Sequence, residues 1–392
     1  MHKRVVFPMS PTVNVSASEA VSELRTPRAG AYTHNFSAGP GALPASVLAE
    51  VRQGIAEVPG LGLGVLGVSH RSKWFEGVVA EAEDHFRALL GLGTDYHVLF
   101  LQGGSTLQFS QIAMTLLRGA KEPADYLHTG YWSGKSLPEA RREGPVRVLW
   151  SGEAGGFREL PTDDALACNP RAPYLHYVSN ETVEGLQFHR TLGLPGVPRV
   201  CDMSSDFLGR PIEAREFELI YAHAQKNLGP SGVTVVVFHD SFLKRVPEGL
   251  PSMLDYRAHA KARSIYNTPP VFAIHVVMLV ARWLRREIGG LEAMARINAR
   301  KAHALYSRID ASGGFYVGRA ARADRSFMNV SFNLASPALE ARFLAEADAE
   351  GFYGLEGHRS AGGVRASLYN AVTPEAAEEL GAFMDEFLRR HG

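Results

Sequence analysis

The chain has 392 residues, 45% of them apolar, enough for a large packed core and well outside the range of disordered chains. Its 41 basic and 41 acidic side chains cancel, so a global basic field for nucleic acid is excluded, and no apolar run reaches the length of a membrane span. The two cysteines, Cys168 and Cys201, exclude a disulfide scaffold, fit a reducing cytoplasm and lack metal-ligand spacing, so no metal site is expected.

Residues 1–33 lack periodicity and are rich in Ser, Thr, Pro and Val, which predicts a flexible extension. A start at Met9 or later is the alternative, and the apolar run after Arg4 is too short for a signal-peptide core. Ordered sequence begins at Asn35-Phe36-Ser37-Ala38-Gly39-Pro40-Gly41. Pro44 opens a helix with Val47, Leu48, Val51 and Ile55 on one face. The run Gly62-Leu63-Gly64-Val65-Leu66-Gly67 matches a dinucleotide fingerprint formally, but a helix rather than a strand precedes it. Residues 74–90 form a second amphipathic helix.

Strand 98–101 runs into Gln102-Gly103-Gly104-Ser105-Thr106 and a helix over 107–117. Strand, glycine turn and helix present unpaired backbone N–H groups to an anion, although a plain strand–helix turn reads the same way. Strand 124–128 leads to a loop, Thr129-Gly130-Tyr131-Trp132-Ser133, whose tryptophan is either packing or a platform for a planar ring. Strands at 147–150 and 174–178 follow, the second ahead of Ser179-Asn180-Glu181-Thr182.

Residues 200–202 read as a buried strand ending in Asp202, and 233–238 as another. Between them lies Lys226, on a turn of small residues followed by Gly229-Pro230-Ser231-Gly232. A lysine in such a turn is ordinarily solvated. In apolar surroundings its amine would instead lose its proton and become a nucleophile able to form an imine with a carbonyl. An aspartate at a strand end and such a lysine are what pyridoxal phosphate requires. The alternation of helix and strand predicts an α/β fold with a mostly parallel, doubly covered sheet. Ligands of such sheets sit at the carboxyl ends of the strands, where Ser105, Trp132, Thr182, Asp202 and Lys226 all fall. Beyond Tyr266-Asn267-Thr268-Pro269-Pro270 come a helix over 271–288 and a helix over 291–309. A strand at 328–332 and helices at 338–350 and 375–389 complete a smaller C-terminal domain.

Several separated tracts resemble the phosphoserine aminotransferases, which are fold-type-I pyridoxal-phosphate enzymes. They are the Asn35–Pro40 opening, Thr129-Gly130-Tyr131-Trp132-Ser133, Asn180-Glu181-Thr182 with Gly185, and Asp202-Met203-Ser204-Ser205-Asp206. Ala224-Gln225-Lys226-Asn227, Asn267-Thr268-Pro269-Pro270 and the stretch 355–370 complete the set. The resemblance implies a seven-stranded, mostly parallel sheet in a large domain, 34–288, and a smaller α/β domain, 289–392, with residues 35–45 packing against it.

It also implies pyridoxal 5'-phosphate as cofactor, tethered at Lys226, with Asp202 on the ring nitrogen and Trp132 stacked on the ring. Ser105, Thr106, Thr182 and Gln225 would contact the cofactor. Asn267 and Thr268 would reach the neighbour's cofactor phosphate, which makes the enzyme a homodimer. The implied substrates are L-glutamate and 3-phosphohydroxypyruvate, in serine biosynthesis with pyridoxine biosynthesis as an additional role, and His70, Arg71, His358, Arg359 and Arg365 are cations matched to such polyanions.

An aminotransferase of the same fold acting on a small unphosphorylated amino acid would not need that many cations. A cofactor-binding protein without catalysis would not need both Lys226 and Asp202. His223, three residues before the lysine, departs from the small residue common in the family.

Overall fold

The computed structural model describes residues 32–194 and 196–392. The expected extension and the alternative start at Met9 lie outside them, except for Tyr32 and Thr33. These two are tied down: Tyr32 Oη donates to Asp348 at 2.9 Å and the Thr33 amide to the Gly351 carbonyl.

Seven strands form the large sheet: β1 (Tyr96–Leu101), β2 (Ala124–His128), β3 (Val146–Ser151), β4 (Leu175–Val178), β5 (Arg199–Asp202), β6 (Leu219–His223) and β7 (Thr234–His239). Their spatial order is β1-β7-β6-β5-β4-β2-β3. All neighbours are parallel except β7, which is antiparallel to both β1 and β6. The alternation of side chains decides the layers. In β7, Val235 and Val237 enter one apolar cluster while Val236 and Phe238 enter another; in β1, Val98 and Phe100 part from Leu99 and Leu101 in the same way. Each fully buried side chain of this size contributes about 1.5–3 kcal/mol, so both faces of the sheet must be covered.

Helices supply that cover: α1 (Ala45–Ala56), α2 (Lys73–Leu90), α3 (Gly104–Leu116), α4 (Tyr131–Glu143), α5 (Tyr256–Lys261) and α6 (Val271–Arg286). Ser72 caps α2 by accepting from the Phe75 amide, and Gly91, at φ 63°, ends it in the left-handed conformation glycine favours. The first apolar face expected in the chain is only half buried. Val47 and Val51 of α1 enter the core, whereas Leu48 and Ile55 are exposed. The glycine run at 62–67 follows α1 and contains a single 3-10 turn at Val65–Gly67, so the strand–loop–helix context of a dinucleotide site is absent there.

A third apolar cluster is built from residues 302–387 together with Phe36. It covers a three-stranded antiparallel sheet, β8 (Tyr316–Gly318), β9 (Asn329–Leu334) and β10 (Val364–Ser367), with α7 (Leu291–Ala311), α8 (Pro337–Ala349) and α9 (Pro374–His391). Phe36 arrives there because His34–Asn35 pairs in parallel with Phe352–Tyr353. No helix of the described residues is long and apolar enough to cross a membrane.

Candidate active site

The register of three strands sets the floor of the site. Thr234, at the start of β7, faces both Leu101 at the exit of β1 and His223 at the exit of β6. The Gly103-Gly104 turn and the lysine turn are thereby brought side by side. Asp202 ends β5, in register with Tyr221 of β6. Ser105, Thr106, Trp132, Asp202, Gln225 and Lys226 line one cavity of about 360 Å³, together with Gly103, Gly104, Ser204, His223 and Gly232.

Lys226 Nζ lies 4.8 Å from the centroid of the Trp132 ring. Loss of hydration pushes its pKa down to about 8; the Asp202 carboxylate opposes this and the Arg365 guanidinium reinforces it. An amine at that value is unprotonated in a substantial fraction near neutral pH. The backbone around it is braced by the chain's opening segment. The Gly41 amide donates to the Gln225 carbonyl at 2.8 Å, and a Cβ on Gly41 would stand 2.7 Å from the Lys226 carbonyl oxygen, so only glycine fits.

Burial pushes the Asp202 carboxyl up, while hydrogen bonds from Ser204 and the charge of Lys226 pull the other way. The Ser204 amide and hydroxyl both donate to Asp202 Oδ1, at 2.8 and 2.5 Å. Ser204 Oγ has then spent its proton, so it accepts from Ser105 Oγ at 2.6 Å and from the His223 amide at 3.0 Å. Ser204 thus links the acid at one end of the cavity to the glycine turn at the other. In the sequence it is one serine of the Asp202–Asp206 tract, with no local pattern to set it apart.

Trp132 is not in a loop as expected but in the first turn of α4, and that turn explains how it is held. Glu181 accepts from the amides of Trp132 and Ser133, both at 2.9 Å, and Glu184 accepts from the amide of Tyr131 at 3.0 Å. Two carboxyl groups therefore sit on the N-terminal end of one helix, where unpaired amides favour negative charge. Burial and the charge of Glu181 push the Glu184 carboxyl up to about 8. The indole Nε1 donates to Thr182 Oγ1 at 2.9 Å, which fixes the ring's rotation over the lysine.

The C-terminal cations approach the same place. Arg365 Nη1 donates to the Thr182 carbonyl at 3.3 Å, and the His358 ring stands 4.5 Å from that of Tyr131. Arg359 follows His358 and is exposed. His70, Arg71, Asn267 and Thr268 do not line the lysine cavity of their own chain. His70 and Arg71 border one surface concavity with Lys261 and Arg263; His70 and Thr268 share a second with Leu66. Leu66, in the wall of the second concavity, is 68% exposed.

Fold and site together define an aminotransferase of class V. The family model described as Aminotransferase class-V matches residues 33–380, and the chain belongs to that family. Its relatives narrow this further. The phosphoserine aminotransferase of Herpetosiphon aurantiacus is 47% identical over 359 residues, 92% of this chain and 99% of the relative. That of Laribacter hongkongensis is 48% identical over 359 residues, again 92% and 99%. Among solved structures, the phosphoserine aminotransferase from Bacillus circulans subsp. alkalophilus superposes with a TM-score of 0.89 at 45% identity, covering 91% of this chain and 99% of that one. The PLP-bound phosphoserine aminotransferase from Trichomonas vaginalis gives 0.83 at 35% identity, covering 91% and 100%. Within the class the chain is thus a member of the phosphoserine aminotransferase family.

Proposed function

We propose that the protein transfers the amino group of L-glutamate to 3-phosphohydroxypyruvate, giving O-phospho-L-serine and 2-oxoglutarate, with pyridoxal 5'-phosphate as cofactor. The observation that carries this is the convergence of Lys226, Asp202 and Trp132 on one cavity at the strand exits of this fold.

The residues fit the cofactor group by group. Lys226 offers an amine to an aldehyde, Asp202 a carboxylate to a ring nitrogen, and Trp132 an indole face to a flat ring. The first turn of α3 with Ser105 and Thr106, and the Gln225 side chain, suit a phosphate. When bound, pyridoxal phosphate supplies an electron sink for the bond to the substrate Cα. The Lys226 amine would take the proton from that Cα and hand it to the carbon of the cofactor's aldehyde group, a task suited to an amine poised near 8. Asp202 holds a proton on the ring nitrogen. Arg365, His358 and Arg359 bind substrate carboxylate or phosphate.

The working unit in this reading is a homodimer. Asn267 and Thr268 of each copy contact the neighbour's cofactor, and His70 and Arg71, outside their own chain's cavity, bind the neighbour's substrate. The exposed Leu66, which shares a concavity with His70 and Thr268, supports a buried interface there. We also assign residues 34–288 to a cofactor-holding domain and 289–392 to a smaller one, and place the protein in the cytoplasm, consistent with its free Cys168 and Cys201.

The test is a pair of half-reactions on purified holoenzyme. Glutamate should bleach the bound cofactor's yellow colour, and phosphohydroxypyruvate should restore it where pyruvate does not. Restoration by pyruvate at an equal rate would favour the small unphosphorylated substrate instead.

A further inference from the structure

His223 is a residue that the transfer chemistry above does not use, yet it forms part of the cavity wall. It ends β6, and its amide is fixed on Ser204 Oγ. Its imidazole lies against Gly104, where an added Cβ would come within 3.3 Å of Cε1 and 3.4 Å of Nδ1. Gly104 also has φ +69°, so both space and backbone reserve that position for glycine. The ring is thereby seated at the N-terminal end of α3, beside amides that have no intrahelical partner. Its Nε2 is buried and has no hydrogen-bond partner among the described residues. A buried polar atom without a partner costs stability unless something completes it.

We infer that His223 is a phosphate ligand of the cofactor site, donating a ring N–H to an anion held by the 103–106 turn. Pyridoxal phosphate presents such an anion, so the inference rests on the cofactor reading above. Burial and the nearby charge of Lys226 lower the imidazole pKa to about 4, so the ring is neutral and carries one N–H to give. A plain packing role would satisfy the van der Waals surface of Gly104 but would leave Nε2 orphaned.

The two roles separate in a binding measurement on cofactor-free protein, read by quenching of tryptophan fluorescence. Pyridoxal phosphate and pyridoxal, which lacks the phosphate, are the probes. In His223→Ala the affinity for pyridoxal phosphate should fall about tenfold, the scale of one hydrogen bond to a charged group, and that for pyridoxal should stay within about twofold. His223→Gln, which retains an N–H donor, should recover most of the loss. Equal weakening of both probes, or of neither, in both variants would overturn the inference. Failure of the wild-type chain to bind either probe would instead overturn the cofactor reading beneath it.

Discussion

Two lysines in this protein have amines made less basic by loss of hydration, and they do opposite things. Lys301, on α7, is fully buried; its pKa is lowered to about 7 by burial alone, further than that of Lys226 at about 8. Yet Lys301 Nζ is committed, donating to the carbonyls of Leu368 and Tyr369, each at 2.9 Å. A neutral amine with both N–H bonds placed is a structural clamp on the chain leaving β10. Among the described residues Lys226 has no such acceptor. Its amine faces an indole at 4.8 Å and a cavity that also holds Asp202. A depressed amine pKa therefore does not mark a nucleophile; a depressed pKa on an uncommitted amine beside a ligand-sized space does.

The comparison breaks most sharply by mutation. Lys226→Ala should abolish bleaching by glutamate and lower turnover by at least about 10³-fold, since it removes the group that moves the proton. Stopped-flow absorbance would check it, and a rate near wild type would remove Lys226 from the mechanism. Asp202→Asn keeps the shape and the acceptor for Ser204 but loses the charge opposite the ring nitrogen. Turnover should fall about 10²-fold, with the fold retained by circular dichroism.

How much of this was legible beforehand follows physical lines. The sheet was readable because β1 and β7 are short β-branched or apolar runs, and the strand exits located Lys226, Asp202, Ser105 and Thr182. Trp132 is legible as a site residue but reads as loop, because the carboxyls that accept from the first-turn amides of α4, Glu181 and Glu184, lie some fifty residues away and only Ser133 caps it locally. Ser204 was invisible for the same reason: its role is a junction between elements rather than a local pattern. Leu48 and Ile55 satisfied the helical period yet face water in one chain, since periodicity reports an apolar face without saying what covers it. His70, Arg71, Asn267 and Thr268 carry no signal of which copy's cavity they serve.

Acidity sharpens the contrast next. In cofactor-free protein, the rate of pyridoxal phosphate capture should rise about tenfold per pH unit up to about 8 and then level off, because only the unprotonated Lys226 amine attacks. A rate independent of pH between 6 and 8, values chosen to bracket that pKa from below, would remove the free-amine argument.

Lys301 gives the mildest effect on chemistry and a clear one on stability. Lys301→Ala removes two buried hydrogen bonds, leaving the Tyr369 carbonyl only the Val372 amide, and should cost about 2–4 kcal/mol in urea unfolding, with turnover at the stability plateau changed by less than about twofold. The folded pKa of Lys301 lies below its ordinary 10.5, so from about 7 upward the unfolded chain holds a proton that the folded chain lacks. Wild-type stability should therefore gain on that of the variant as pH rises through this window.

Borohydride reduction of the holoenzyme, followed by peptide mass analysis, tests the central contrast most directly. A single modified peptide, carrying the reduced cofactor on Lys226 with Lys301 untouched, is the expected result. Modification at Lys301 or at any other lysine, with Lys226 recovered free, would contradict it.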